Sequence, residues 1–193
     1  MAAGKVTTGF SKPYVAIYTA SGTAVTYSNG QLLARGVDVT ISPESSEDNK
    51  FYADNVEAET ESGKFTGGSL SLTVDGLFGT AKQLIYGLPA ADTDGGINYG
   101  DDMNIPYVGF GYIARAQSDG EVKYYPTVLY KCRFNLSDDA AATQEENISW
   151  QTQSLTATIL RDDTANRNWK WEHSAGFATE ALAEAALQSK LNI

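Results

Sequence analysis

Few residues in this chain are equipped for covalent chemistry. Among 193 residues there is one cysteine, Cys132, and one histidine, His173. Cys132 sits in the apolar run "VLYKCRF", where a free thiol behaves as a small hydrophobe and nothing nearby would lower its pKa. A Cys132–His173 nucleophile–base pair is therefore disfavoured against a buried thiol and a surface imidazole. One cysteine allows no internal disulfide, and the usage predicts synthesis in a reducing compartment. No G-x-S-x-G elbow is present. The acidic loop "DTDGGINYGDD" offers Asp92, Asp94, Asn98, Asp101 and Asp102. Counted from Asp92 as a calcium loop, Gly96 stands at position 5, Ile97 at position 6 and Met103 at position 12. An EF-hand needs an oxygen ligand, a glycine and a glutamate there, so the match fails and a solvated loop is the better reading. Zinc lacks ligands. Tyr124, Tyr125, Trp150, Trp169 and Trp171 could form a sugar platform, but alternating aromatics in strands are more often core and cross-strand pairs. The sequence predicts no enzyme, no cofactor and no metal.

The elements that would carry these residues are mostly strands. "GVDVTIS" alternates Val37, Val39 and Ile41 with polar residues, and "SLSLTVD" does the same with Leu70, Leu72 and Val74. Both patterns predict half-buried strands. In "IPYVGFGYIAR", Val108, Phe110 and Tyr112 share one face, while Gly109 and Gly111 leave the other open to a close neighbour. Pro126 within "EVKYYPTVLYKCRF" predicts an edge position or a bulge. In "ISWQTQSLTATILRD" the apolar phase shifts from Ile148 and Trp150 to Leu155, Ala157 and Ile159, which predicts a bulge near Gln153–Ser154. "RNWKWEH" reads as a short aromatic strand. Two helices are expected. One lies in "DGLFGTAKQLIYG", with Leu77, Ala81 and Leu84 spaced i, i+4, i+7 beside Phe78 and Ile85, Asp75 as cap and Gly87 as stop. The other is the C-terminal "ATEALAEAALQSKLNI", capped by Thr179, with Leu187 and Leu191 away from Leu182. The expected fold is mainly β: one domain over residues 1–193, an antiparallel β-sandwich or barrel with one packed α-helix, a long extended loop at about 42–68 and a C-terminal helix.

The formal charge is −10 and the pI about 4.5, which argues against specific nucleic-acid binding but not against a protein that DNA passes without being held. Mean hydropathy is −0.29, and no run approaches the roughly 20 apolar residues of a membrane helix. The start "MAAGKVTTGFSKPY" has no apolar h-region and predicts no signal peptide. Within the excursion 42–68, "FYADNVEAET" combines strand-forming residues with the turn formers Asp54 and Asn55. An extended, strand-forming segment on a β domain is suited to pairing with a neighbouring copy, and its flanking charges discourage indiscriminate pairing.

In order along the chain, "PYVAIY", "GVDVTISPESSEDNKFYADNVEAET", "GGSLSLTVDGL", "IPYVGFGYIAR" and the C-terminal "GFATEALAEAAL" resemble the major tail protein, or tail tube subunit, of long non-contractile-tailed bacteriophages, the phi-thirteen type. The resemblance spans nearly the whole chain. The last segment is more alanine-rich than the family pattern, and loop 89–104 carries no family signature. The resemblance implies a tail-tube fold, a non-catalytic virion protein made in the host bacterial cytoplasm, and hexameric rings stacked into a tube for genome DNA ejection. It implies as partners further copies of the chain and other tail proteins (tape measure, tail terminator, distal tail), with no membrane. It places the inter-subunit contact at Phe51, Tyr52, Ala53, Asp54, Asn55, Val56 and Glu57. The competing readings are a monomeric carbohydrate-binding or adhesin β-sandwich and the inner tube protein of a contractile injection system.

Overall fold

The computed structural model describes residues 4–193 except 78, 102, 119, 140, 142 and 144–149. Strands β1 (Val6–Ser21), β2 (Ala24–Leu32), β3 (Gly36–Ser45), β6 (Phe65–Val74), β7 (Val108–Ser118), β8 (Glu121–Phe134), β9 (Gln153–Leu160) and β10 (Lys170–Glu172) form one antiparallel sheet. Its order is β2-β1-β7-β8-β9-β6-β3, with β10 also pairing β8. Strands β4 (Asn49–Ala53) and β5 (Val56–Glu61) form a separate two-stranded ribbon, and the helices are α1 (Gly79–Tyr86) and α2 (Glu180–Leu191). The sheet does not close into a barrel. It bends so that β6 and β9 face β1, β7 and β8 across a core containing Val15, Leu70, Leu72, Val108, Phe110, Leu155 and Ile159.

A second core lies on the opposite face of β1, β7 and β8, under α2. It contains Tyr14, Ala16, Tyr18, Ile113, Val128, Ala183, Leu187 and Leu191. This double burial explains why "PYVAIY" is apolar without alternation: Val15 points into one core while Tyr14 and Ala16 point into the other. It also supplies the close neighbour expected at Gly109 and Gly111. A Cβ on Gly111 would stand 3.0 Å from Leu187 Cγ, and one on Gly109 would stand 2.7 Å from Leu191 Cδ2 and 2.5 Å from the Tyr27 ring. The glycines form the floor on which α2 lies. On α2, Ala183, Leu187 and Leu191 are buried at i, i+4 and i+8, whereas Leu182 is exposed. Thr179 caps the helix as expected, accepting from Leu182 N.

Four sequence expectations are corrected. Strand β9 begins at Gln153 and pairs with β6 without a register shift, so there is no bulge at Gln153–Ser154. The change of phase arises because Trp150 precedes the strand and is 86% exposed; Ile148 lies outside the described residues. Asp75 is not a helix cap, since α1 starts at Gly79. Its carboxylate instead accepts from Arg35 N and pairs with the Arg35 guanidinium at 2.5 Å. Gly87, at φ 62°, does follow the helix as its stop. Pro126 is neither at an edge nor at a bulge: it pairs with Ile113 inside an unshifted stretch of β7–β8. Its missing donor falls where β8 changes neighbours on its other side, between β10 at Thr127–Leu129 and the Tyr124–Phe177 bridge. There only its carbonyl is used, accepting from His173 N. Finally, Val37 is exposed and Val39 and Ile41 are only half-buried, because β3 ends the sheet.

Polar contacts fasten α2 to β1. Tyr14 Oη donates to Glu184 Oε1 at 2.6 Å, Lys12 Nζ lies 3.2 Å from the same oxygen, and Ser11 Oγ donates to Glu180. The hydrogen bond from Tyr14, with Lys12 beside it, holds the Glu184 carboxyl below its ordinary value of 4.5. A folded-state pKa below the unfolded one stabilises fully above the unfolded value, and the contribution is lost as pH falls through the folded value. Stability is therefore expected to drop on acidification through the carboxylate range, and Glu184→Gln to make that drop shallower. Thermal melts of both proteins from neutral to acidic pH check this; identical slopes would discount the contact.

Candidate functional site

The segment 42–68 does not form a loose excursion. Strand β3 runs out to Ser45 and β6 begins at Phe65, so the two form a pair from which β4 and β5 project. At the waist Ser46 N donates to Lys64 O, Lys64 N to Ser46 Oγ, and Gly63 N to Asp48 Oδ1 at 2.7 Å. Beyond it, β4 pairs with β5 from Asn49↔Glu61 to Ala53↔Val56. Asp54 and Asn55 close the hairpin at φ 51° and 64°, the positive pair of a type I′ turn, which matches the twist of the strands and tolerates Asp and Asn in the left-handed region. What the sequence offers as one strand-forming element is thus two strands and a turn.

All seven expected contact residues come together at the end of this arm: Phe51, Tyr52 and Ala53 on β4, Asp54 and Asn55 in the turn, Val56 and Glu57 on β5. Every residue of β4 is exposed, and Phe51 (63%), Tyr52 (58%) and Val56 (66%) show most of their surface to solvent. Directly paired residues share a face in an antiparallel ribbon. Phe51 therefore lies on the face of Glu59, and Val56 joins it through Ala53. From Glu44 to Glu61 the arm carries seven carboxylates and one lysine, a charge of −6 within the chain's −10. An isolated two-stranded ribbon with exposed aromatics is marginal on its own, and exposed apolar clusters of this kind mark interaction sites.

The catalytic candidates do not meet. Cys132 is fully buried on β8, and burial pushes its thiol well above the ordinary range. His173 donates from its backbone N to Pro126 O, and Pro126 lies six residues before Cys132 on β8, roughly 20 Å from it at ~3.3 Å per residue. Its ring packs on Phe177 at 4.3 Å between centroids. In loop 89–104 the Asp92 carboxylate accepts from Asp94 N and Gly96 N, making it a turn former. Among the described residues there is no group of three or more His, Cys, Asp or Glu placed to hold a metal ion. No helix among them is long and apolar enough to cross a membrane. Of the expected sugar-stacking aromatics, Trp169 stacks on Phe65 with 4.6 Å between centroids, Tyr125 is buried, Tyr124 and Trp171 are half-buried against the core under α2, and Trp150 is exposed. The five are thus divided among different environments.

The sequence pattern also leaves a groove unmarked. It has a volume of about 450 Å³ and lies at the end of β8 and β9, lined by Ile105, Tyr107, Arg133, Leu136, Thr158 and Leu160. Its signal in the sequence is faint: alternation in "YKCRF" turns Arg133 away from the core that holds Cys132 and Phe134, while Tyr107 and Leu136 lie just outside strands. No protein-family model and no curated protein matches the chain.

Proposed function

We propose that this chain is a structural, self-assembling subunit of a phage tail tube: copies associate into rings, six to a ring by the family resemblance, and the rings stack into a conduit for genome DNA. The observation that carries the reading is the acidic hairpin arm, which exposes Phe51, Tyr52 and Val56 well away from either core. An exposed aromatic ribbon is unfavourable for a free monomer and useful to a subunit that buries it against a neighbour. The charge agrees, because a DNA conduit must not bind phosphates, and an acidic wall keeps the polymer hydrated and centred. In this reading the protein is non-catalytic, resides in the virion, and meets tape measure, tail terminator and distal tail proteins at the ends of the tube.

Negative-stain microscopy of the purified protein is expected to show rings or tubes at high concentration. Copies of charge −10 repel one another, and salt screens that repulsion over a Debye length of about 8 Å at physiological strength. Assembly is therefore expected to strengthen as ionic strength rises from low values. A protein that remains monomeric at high concentration, or assembles identically at all salt levels, would count against the reading.

A further inference from the structure

We infer that the tip of the arm docks on a second copy of this chain, in the groove between Tyr107, Arg133, Leu136 and Leu160. The inference deepens the tube reading, on which its biological consequence rests, by naming the surface that receives the arm. The two surfaces are complementary in kind. The groove offers apolar walls, with Tyr107 and Leu136 both exposed at its rim. Arg133 adds a positive charge: its guanidinium sits 6.0 Å from the Tyr107 ring centroid and has no carboxylate partner among the described residues. The neighbouring cation, Lys131, is already neutralised by Asp163 at 2.6 Å. Arg133 is thus the cation the groove can offer to an incoming carboxylate.

The arm offers the converse. Phe51 and Val56 share one face of the ribbon with Glu59, an aromatic and an aliphatic anchor beside a carboxylate. Phe51 and Val56 fit the apolar walls, and Glu59 meets Arg133 in the planar, two-pronged pairing that guanidinium and carboxylate favour. The arm does not reach its own groove. Its strands pair only with each other and β4 is exposed throughout. From Ser46 to the turn it extends roughly 30 Å from the body at ~3.3 Å per residue. Since tip and groove are different patches, each copy can give one contact and receive another, and the contact propagates instead of ending at a dimer. A tip of this size covers less than the roughly 800 Å² per partner of a stable interface, so a single contact is weak and gains strength by repetition in an assembly.

The test is a charge exchange in the full-length chain, read by sedimentation velocity and negative stain. Arg133→Glu and Glu59→Arg are each expected to weaken association at least about tenfold. The double variant, with the pair reversed, is expected to return to within about threefold of the native protein. Phe51→Ala is expected to weaken association without any change of charge. All three side chains are exposed, so melts should confirm that each variant folds. Association of Arg133→Glu equal to that of the native chain overturns the groove, as does failure of the double variant to recover. If that happens while replacement of the arm still blocks assembly, the groove is wrong and the tube reading stands. A native chain that stays single at every concentration overturns both.

Discussion

Replacing residues 50–60 with Asn-Gly is expected to yield a folded protein that no longer assembles. Asn49 and Glu61 are cross-strand partners, so a two-residue type I′ turn closes the shortened ribbon without strain. The waist bonds between Ser46 and Lys64 lie outside the excised segment, and none of residues 50–60 belongs to either core. Surface changes that touch no core residue usually shift stability by no more than about 0.5 kcal/mol. Shortening the connection slightly lowers the entropy cost of closing it. The melting temperature should therefore stay within a few degrees of the native value. Assembly should respond differently, because Phe51 and Tyr52 leave with the arm, and aromatic anchors dominate interface energies at about 2 kcal/mol or more each. Rings and tubes should be absent from negative-stain fields in which the native protein forms them, and sedimentation should give a monomer. Global unfolding of the variant would show that the ribbon is part of the fold; unaltered assembly would show that it is not the contact.

The same arm shows how far the sequence could be read. The turn residues Asp54 and Asn55 and the strand propensity around them were legible because both are local properties of the chain. That they build a hairpin continuing β3 and β6, and not one free strand, depends on pairing, which local pattern does not encode. Alternation located Leu70, Leu72 and Val74 correctly because β6 has one face in the core. It failed in "ISWQTQSL", where Trp150 is apolar in type but exposed in fact. Strand β2 went unread for a related reason. "AVTYSNGQL" contains Asn29 at φ 52°, and the pairing of β1 with β2 slips between Val15 and Ile17, so its period is interrupted. Among candidate sites, the negative reading of Cys132 rested on its apolar neighbours and agrees with its complete burial. The Arg133 groove is a tertiary feature, built from three separate stretches of chain, and no single stretch announces it.

The largest loss of stability is expected where α2 meets the two glycines of β7. Leu187 is fully buried over Gly111, and no part of the helix other than Ala183, Leu187 and Leu191 enters the core. Leu187→Ala should therefore cost about 2–5 kcal/mol, the transfer of the side chain plus the cavity it leaves. Gly111→Ala acts from the opposite side. Its Cβ would press on Leu187 at 3.0–3.2 Å, closer than a packed contact, and overpacking of this kind costs about 1–3 kcal/mol. At Gly109 the added methyl would meet both the Tyr27 ring and Leu191, and Tyr27 is held in place by its hydroxyl donating to Tyr130 O, so less relief is available. Gly109→Ala should then destabilise more than Gly111→Ala. The informative variant combines Gly111→Ala with Leu187→Ala. Removing the leucine vacates the space that the new methyl needs, so the double variant should lose less than the sum of the single losses, with a coupling of about 0.5 kcal/mol or more. Urea unfolding of the four proteins measures this cycle directly. Strict additivity would mean that the helix and the glycine floor do not touch in solution as they do here, and that the C-terminal helix is held by its polar contacts to Tyr14 and Lys12 instead.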